Sequence, residues 1–310
     1  MLTWAVTAHV TAALSLAGEV IRRTQAQYLA RSGVEKAIRA VMVDTNEWDG
    51  PGEGWSIPQE FSKIELGGGW AAVGWTSRGS GGAIVTNYGV VDEERKVSVN
   101  RAPQPLLAAL FETAAGLDSA KAAATAACIV DWRDGNDEPL PDGAESSYYQ
   151  GLNPPYSCHN NLLDVLEELR LVKGVDGGLL DSIRDYVTVY GSGRININTA
   201  ERIVLLSAAI AVGGAERRVC EDLVDKILTA RQEHLFTARA QVANSIRDLS
   251  AEERTLLNRM VNVNAGVLDV ASRHFGGTSW GRVRGSSAAG ARVIFVCDRT
   301  NGKIRFWHED

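Results

Sequence analysis

A helical spacing of apolar residues runs from the amino terminus to about residue 43 with no proline in it, and a helix of that length constrains the rest of the chain more than any other feature. Its first stretch, LTWAVTAHVTAALSLAGEVI, is mostly apolar but holds His9, four Thr or Ser hydroxyls before Leu16, and Glu19. It is long enough to span a bilayer and too polar to do so comfortably. Farther on, EVIRRTQAQYLARSGVEKAIRAVMVD keeps apolar residues at Val20, Ile21, Tyr28, Leu29, Val34, Ala37, Ile38 and Val41. A single helix over 3–43, apolar all round at first and amphipathic later, suits an anchor that runs into a domain; the plainer alternative is a helix packed on a core. No basic leader precedes it and no small-residue cleavage site follows, so it does not read as a signal peptide.

The rest of the chain changes texture twice. Runs with β character follow the helix, GWAAVGWTS at 69–77, GAIVTNYGVVD at 82–92 and KVSVN at 96–100, with SRGSGG at 77–82 as a hairpin connection. From Pro105 to about Arg273 the spacing is mostly helical, as in PLLAALFETAAG at 105–116, SAKAAATAACIVDW at 119–132 and LLDVLEELRLV at 162–172. RVIFVCDR at 292–299 and GKIRFWHE at 302–309 then alternate like two strands joined by a turn. If the late strands join the early sheet, the helical block is an insertion in an α+β domain. The expected division is a helix over 1–44, a sheet region over 45–100 and 276–310, and an inserted helical domain over 101–275. Three segments echo one another, KVSVNRAPQPLLAAL, RININTAERIVLLSA and MVNVNAGVLDVASRHF, each reading as a short strand ending in Asn, then a helix, with the Asn as N-cap or turn residue.

The 310 residues, with 45% hydrophobic, can build a real core, and the net charge of −6 argues against a nucleic-acid binder. Cys128, Cys158, Cys220 and Cys297 form no CxxC pair and no zinc spacing. They read either as buried free thiols or as two disulfides, among which Cys128 with Cys158 would bracket an acidic loop. Glycine turns at 174–178 and 213–214 resemble helix-hairpin-helix units, with Arg217, Arg218 and Arg231 as candidate phosphate contacts, although any short helix connection favours glycine.

That acidic loop, DWRDGNDEPLPDGAE at 131–145, places six carboxylates and an Asn in fifteen positions. The candidate oxygen donors are Asp131, Asp134, Asn136, Asp137, Glu138, Asp142 and Glu145. Like charges this close raise one another's pKa, and a hard cation removes that penalty. Irregular spacing with glycine turns fits calcium better than magnesium, and the pattern is not an EF-hand. The competing readings are a solvated loop and a pair of catalytic carboxylates as in glycoside hydrolysis. No phosphate loop, nucleophile elbow or metal-binding histidine pair supports an enzyme.

AQYLARSGVEKAI at 26–38, VVDEERKVSVNRAP at 90–103, IVDWRDGNDEPLPDGAESSYY at 129–149, NPPY at 153–156, LEELRLVKGV at 166–175, RININTA at 194–200 and VNVNAGVLDVASRHF at 261–275 together resemble the minor pseudopilin K family of bacterial type II secretion systems. The resemblance implies a pilin-like fold, a long amino-terminal helix packed on an antiparallel sheet, carrying a large inserted helical domain. It implies a non-enzymatic subunit at the tip of the pseudopilus, with minor pseudopilins I and J, the major pseudopilin and other secretion components as partners. It also implies an inner-membrane, single-pass location with the globular part in the periplasm. A bound Ca2+ in the insertion is part of that resemblance, carried onto Asp131, Asp134, Asp137 and Glu145, and onto Asn136, where the family pattern leads one to expect Asp. The family's helix lacks the charged Glu by which a major pilin sets register, and Glu19 lies too far along to replace it. The candidate partner-packing residues are Leu2, Trp4, Val6, Val10, Leu14, Leu16, Val20 and Ile21. A leader ending in Gly is expected before such a helix and none is visible before Leu2, so the start reads either as truncated, by a start placed too far downstream or by trimming, or as that of a divergent member. The competing expectation is a DNA-binding helix-hairpin-helix protein of a DNA-uptake or related pilus system.

Overall fold

The computed structural model describes residues 2–78, 83–286 and 290–310. The chain divides into two units, one of Met1–Thr45, Pro51–Val91 and His274–Asp310, the other of Asn46–Gly50 and Asp92–Arg273.

In the first unit, helix α1 (Leu2–Val43) runs unbroken, as its spacing predicts. Its second half buries Ala26, Ala30, Val34, Ala37 and Val41, which recur every three or four residues and therefore share one face. A short helix α2 (Pro58–Phe61) follows. The face of α1 lies on a sheet built from β1 (Ile64–Leu66), β2 (Gly69–Arg78), β3 (Ile84–Tyr88), β4 (His274–Val283), β5 (Ala291–Asp298) and β6 (Lys303–Glu309). The path is β1-β2-β4-β5-β6 with β3 also on β2, these pairings being antiparallel, and a two-residue seventh strand, Val91–Asp92, pairs with β4. The early and late strands thus share one sheet, and the segment between them is an insertion in sequence.

Small residues let the helix sit directly on the strands. A Cβ at Gly33 would lie 2.3 Å from Ser279 Oγ, and one at Gly281 would lie 2.1 Å from the Ala26 carbonyl. The Ser279 hydroxyl donates to the Ala30 carbonyl at 2.7 Å. Gly33 and Gly281 are therefore required by close approach rather than by a turn. Most of the expected hairpin connection at 77–82 lies outside the described residues, which resume at residue 83.

The second unit holds α3 (Gln104–Ala115), α4 (Ser119–Arg133), α5 (Ser146–Tyr149), α6 (Gly177–Ile183), α7 (Arg202–Val212), α8 (Arg217–Glu233), α9 (Val242–Ser245) and α10 (Ala251–Met260). Leu107, Leu110, Phe111, Ile129, Leu205, Leu223, Ile227 and Leu257 form its core. Three details differ from the sequence reading. KVSVN leaves the sheet region, because Val97–Ser98 pairs in parallel with Val187–Thr188 inside the helical unit, which therefore begins at Asp92 rather than at 101. LLDVLEELRLV yields only a 3-10 turn at Leu166–Leu171, tied by Glu168 Oε1 accepting from the amides of Asp164 and Val165.

The third difference concerns the echo. Ile195–Asn196 pairs in parallel with Leu268–Asp269, yet no helix follows the latter. The asparagines of the echo are not N-caps, since Pro103 and Glu201 hold those positions at α3 and α7. Their amides are used inside instead. Asn100 donates to the carbonyls of Leu163 and Val189, and Asn198 to those of Asp49 and Phe236. All four cysteines are free and buried, so the disulfide reading gives way to the thiol reading.

Candidate metal centre

Helix α4 aims the first two carboxylates. Asp118 caps its start, accepting from the Lys121 amide at 2.9 Å, and its apolar face (Ala122, Ala126, Ile129) locks it into the core. That fixes the last turn, where Asp131 is buried and Asp134 is the C-cap. Arg133 points elsewhere, donating to the carbonyls of Val99 and Ala102, and burial lowers its pKa to about 10.

The loop then folds back on these groups. Asp134 Oδ1 accepts from Asn136 N at 3.2 Å and Asn136 Nδ2 at 2.8 Å, while Asn136 Oδ1 accepts from Glu138 N at 2.7 Å. Asp131 accepts from Leu140 N at 3.1 Å and Ala144 N at 2.8 Å. Gly143 is necessary here, since a Cβ would stand 1.9 Å from Asp131 Oδ2. Glu145 follows as the N-cap residue of α5 and makes no side-chain capping bond. It is 2% exposed, and among the described residues neither carboxylate oxygen has a hydrogen-bond partner.

Ligand atoms of Asp131, Asp134 and Glu145 lie within 4.8 Å of one another. Burial pushes Glu145 up to about 7, against the pull of the nearby Cys158 thiol and with the neighbouring Asp131, Asp134 and Asp137 adding to the shift. Burial also raises Asp131, against the pull of the Leu140 and Ala144 amides. A carboxylate removed from water with no donor is strongly unfavourable unless protonated or paired with a cation. The donor set is all oxygen, which selects a hard cation. The adjacent thiols do not alter that. Cys128 donates to the Asp142 carbonyl at 3.6 Å and Cys158 to the Asp131 carbonyl at 3.7 Å, and burial pushes them up to about 11 and about 12, so they remain protonated.

Of the five metal residues named from sequence, three meet. Asn136 lies in the exposed loop, with its Oδ1 accepting the Glu138 amide, and Asp137 accepts from Asn160 Nδ2 at 3.1 Å. Asn160 is the residue the sequence reading missed. It sits in the left-handed region (φ 50°), donates its amide to the Trp132 carbonyl at 3.0 Å, and leaves a buried Oδ1 without a partner. The available signal was chemical, since Asn is among the few residues that adopt that conformation readily. Aromatic residues flank the loop: Tyr149 is fully buried, edge-on to Trp132 and stacked on Tyr156, while Tyr148 is 40% exposed. Asp131 and Glu145 are sealed from solvent, so they offer no open face on which a sugar could be cleaved.

The other candidates distribute differently. Arg217 pairs with Glu221 at 3.0 Å, Arg218 lies 3.9 Å from Asp222, and Arg231 donates to the carbonyls of Ile197 and Ala200. Arg231 is thus turned inward, while Arg217 and Arg218 stay exposed beside carboxylates of their own helix. On α1, Trp4, Val6, Val10, Leu14, Leu16, Val20 and Ile21 are all exposed, and the Leu2 side chain lies outside the described residues. Among the described residues no helix is long and apolar enough to cross a membrane.

Residues 85–192 match the family described as type II secretion system (T2SS), protein K. The type II secretion system protein K of Aeromonas hydrophila is 30% identical over 176 residues, 56% of this chain and 50% of that protein, and that of Klebsiella pneumoniae is 33% identical over 97 residues, 30% of each. These matches span half or less of the curated relatives' length. A chain of the crystal structure of the GspK-GspI-GspJ complex from the enterotoxigenic Escherichia coli Type 2 Secretion System superposes with a TM-score of 0.68 at 18% identity, covering 93% of this chain and 96% of that one. The chain is therefore similar to type II secretion system protein K, matching that family over residues 85–192, and it shares the α+β, pilin-like fold of a chain of the solved complex.

Proposed function

We propose that this chain is a non-enzymatic minor pseudopilin that assembles with minor pseudopilins I and J at the tip of a type II secretion pseudopilus and supports protein export. One observation carries the reading. The second half of α1 is buried on its own sheet while the first half presents Trp4, Val10, Leu14, Leu16, Val20 and Ile21 to solvent. An apolar surface of that length, spread round the helix, is unfavourable in water and is satisfied by packing against other helices. Glu19 pairs with Arg22 on the same helix, which leaves it poorly placed to set register with a neighbour. The corresponding location is the bacterial inner membrane before assembly, with the globular part in the periplasm.

In the same reading Asp131, Asp134 and Glu145 hold a calcium ion, with Asp137 and Asn160 beside them. The ion supplies positive charge where Glu145 has no donor, and it adds its binding free energy to folding. The role is structural.

The assembly reading is tested by size-exclusion chromatography of this chain with the I and J pseudopilins of the same bacterium. A ternary complex is expected, and Val10→Asp with Leu14→Asp should abolish it without lowering the melting temperature, because both side chains are exposed. A complex that survives the double substitution would sink the proposal.

A further inference from the structure

On the face of the sheet turned away from α1, strand alternation places aromatic and basic side chains together. Trp70 on β2 stands directly across from Arg282 on β4, and Trp280 on β4 stands across from Arg292 on β5. Beside Trp70 and Arg282 a cavity of about 540 Å³ opens, lined also by Lys63, Glu65 and Arg284. Its three cations face one carboxylate. Glu65 already serves two of them, Lys63 and Arg284, while Arg282 has no ion pair among the described residues. In a chain of net charge −6, this exposed guanidinium stands across from Trp70 with no counter-charge among the described residues, which leaves it open to an anionic partner.

We propose that this cleft is a docking site for a short acidic peptide segment of a partner protein. Three features of the site select that chemistry. The forked guanidinium of Arg282 matches a carboxylate in a two-point contact, which a neutral ligand cannot use. Trp70 provides an apolar floor beside the charge, suited to a segment that alternates acidic and aliphatic residues. Among the described residues strand β1 pairs only with β2, so its outer edge offers backbone groups to an extended chain, which a phosphate or a sugar could not complete. The cleft's volume suits a few residues rather than a folded surface.

The test uses the whole chain and a fluorescein-labelled peptide of alternating Asp, Glu and Leu, read by anisotropy at low salt. Saturable binding is expected, weakening as salt rises. Arg282→Glu should weaken it about tenfold or more, and a peptide with Lys in place of Asp and Glu should regain affinity for that variant alone. Arg282→Ala, a milder change at the same exposed position, should give an intermediate loss with an unchanged melting temperature. Absence of saturable binding, or equal affinity of wild type and Arg282→Glu, overturns the proposal. Competition by inorganic polyphosphate as effective as by unlabelled peptide overturns it in favour of a general anion site. Self-association of the chain that Arg282→Glu removes overturns it in favour of a second copy.

Discussion

Two buried polar clusters in the helical unit differ in one respect. Around Asp92 every acceptor is answered: Oδ1 takes the Glu94 amide, and Oδ2 takes Asn196 Nδ2, the Thr199 hydroxyl and the Ser272 hydroxyl. Around Glu145 neither carboxylate oxygen has a hydrogen-bond partner. Burial pushes both carboxyls up to about 7, and neighbouring carboxylates add to the shift in each case, Glu94 and Asp49 at Asp92 and Asp131, Asp134 and Asp137 at Glu145, while hydrogen bonds from Thr199 and Ser272 oppose it at Asp92 and the Cys158 thiol opposes it at Glu145. A closed network needs nothing from outside and specifies how its segments meet; an open one stores an unfavourable charge that a ligand can relieve. The first is structural at all times, and the second is structural only when loaded.

The largest effect should come from breaking the closed network. Asn196 donates to Asp49 O, Asp92 Oδ2 and Ser272 Oγ, and its own Oδ1 accepts the Asn198 amide. Asn196→Ala strands these groups in the interior and should lower unfolding free energy by about 3 kcal/mol. Urea melts should give the same loss in calcium and in chelator. A loss confined to calcium would mean that the two clusters are coupled rather than separate.

A smaller effect, with a change of sign, is expected at the open cluster. Asp134→Ala with Asp137→Ala should lower the melting temperature in calcium by the equivalent of about 2 kcal/mol and leave it unchanged in chelator. Glu145→Gln should stabilise the chain in chelator by about 1 kcal/mol, because it removes an uncompensated charge, and destabilise it in calcium. Destabilisation by Glu145→Gln under both conditions would place Glu145 with Asp92, as a group whose partners belong to the protein.

The two clusters also differ in how far the sequence announces them. The acidic loop is plain because its chemistry is contiguous: Asp131, Asp134 and Glu145 come from one short segment, and the helix that aims the first two has clear periodicity. The Asp92 network gathers residues from 49, 92, 196–199 and 272, so proximity in space has no counterpart in spacing, and its asparagines imitate N-caps. Asn160 was missed for the same reason, fifteen residues past Glu145 with its role set by a left-handed turn. Helix α1 and the shared sheet were legible because periods of 3.6 and 2 survive without knowledge of partners. The placement of KVSVN was not, since a two-residue parallel pair leaves no pattern of its own.

The smallest effect, and the finest discriminator, is the dependence on pH. An ordinary Glu in the unfolded chain titrates near ~4.3. In the folded chain without metal Glu145 titrates at about 7. Below the unfolded value both states carry the proton and Glu145 contributes nothing. As pH rises the unfolded state loses its proton first, so stability falls until the folded group has ionised as well, and the full penalty is present above about 7. Asp92 is raised in the same direction, so the decline of wild type in chelator belongs to both carboxyls. Glu145→Gln removes one share, and the difference between the two pH profiles isolates it. Calcium should flatten the profile by that share and no more, since a cation at the loop leaves Asp92 untouched. A profile that calcium flattens completely would mean that Asp92, despite its four donors, does not titrate on its own, and the distinction between the closed and the open cluster would fail.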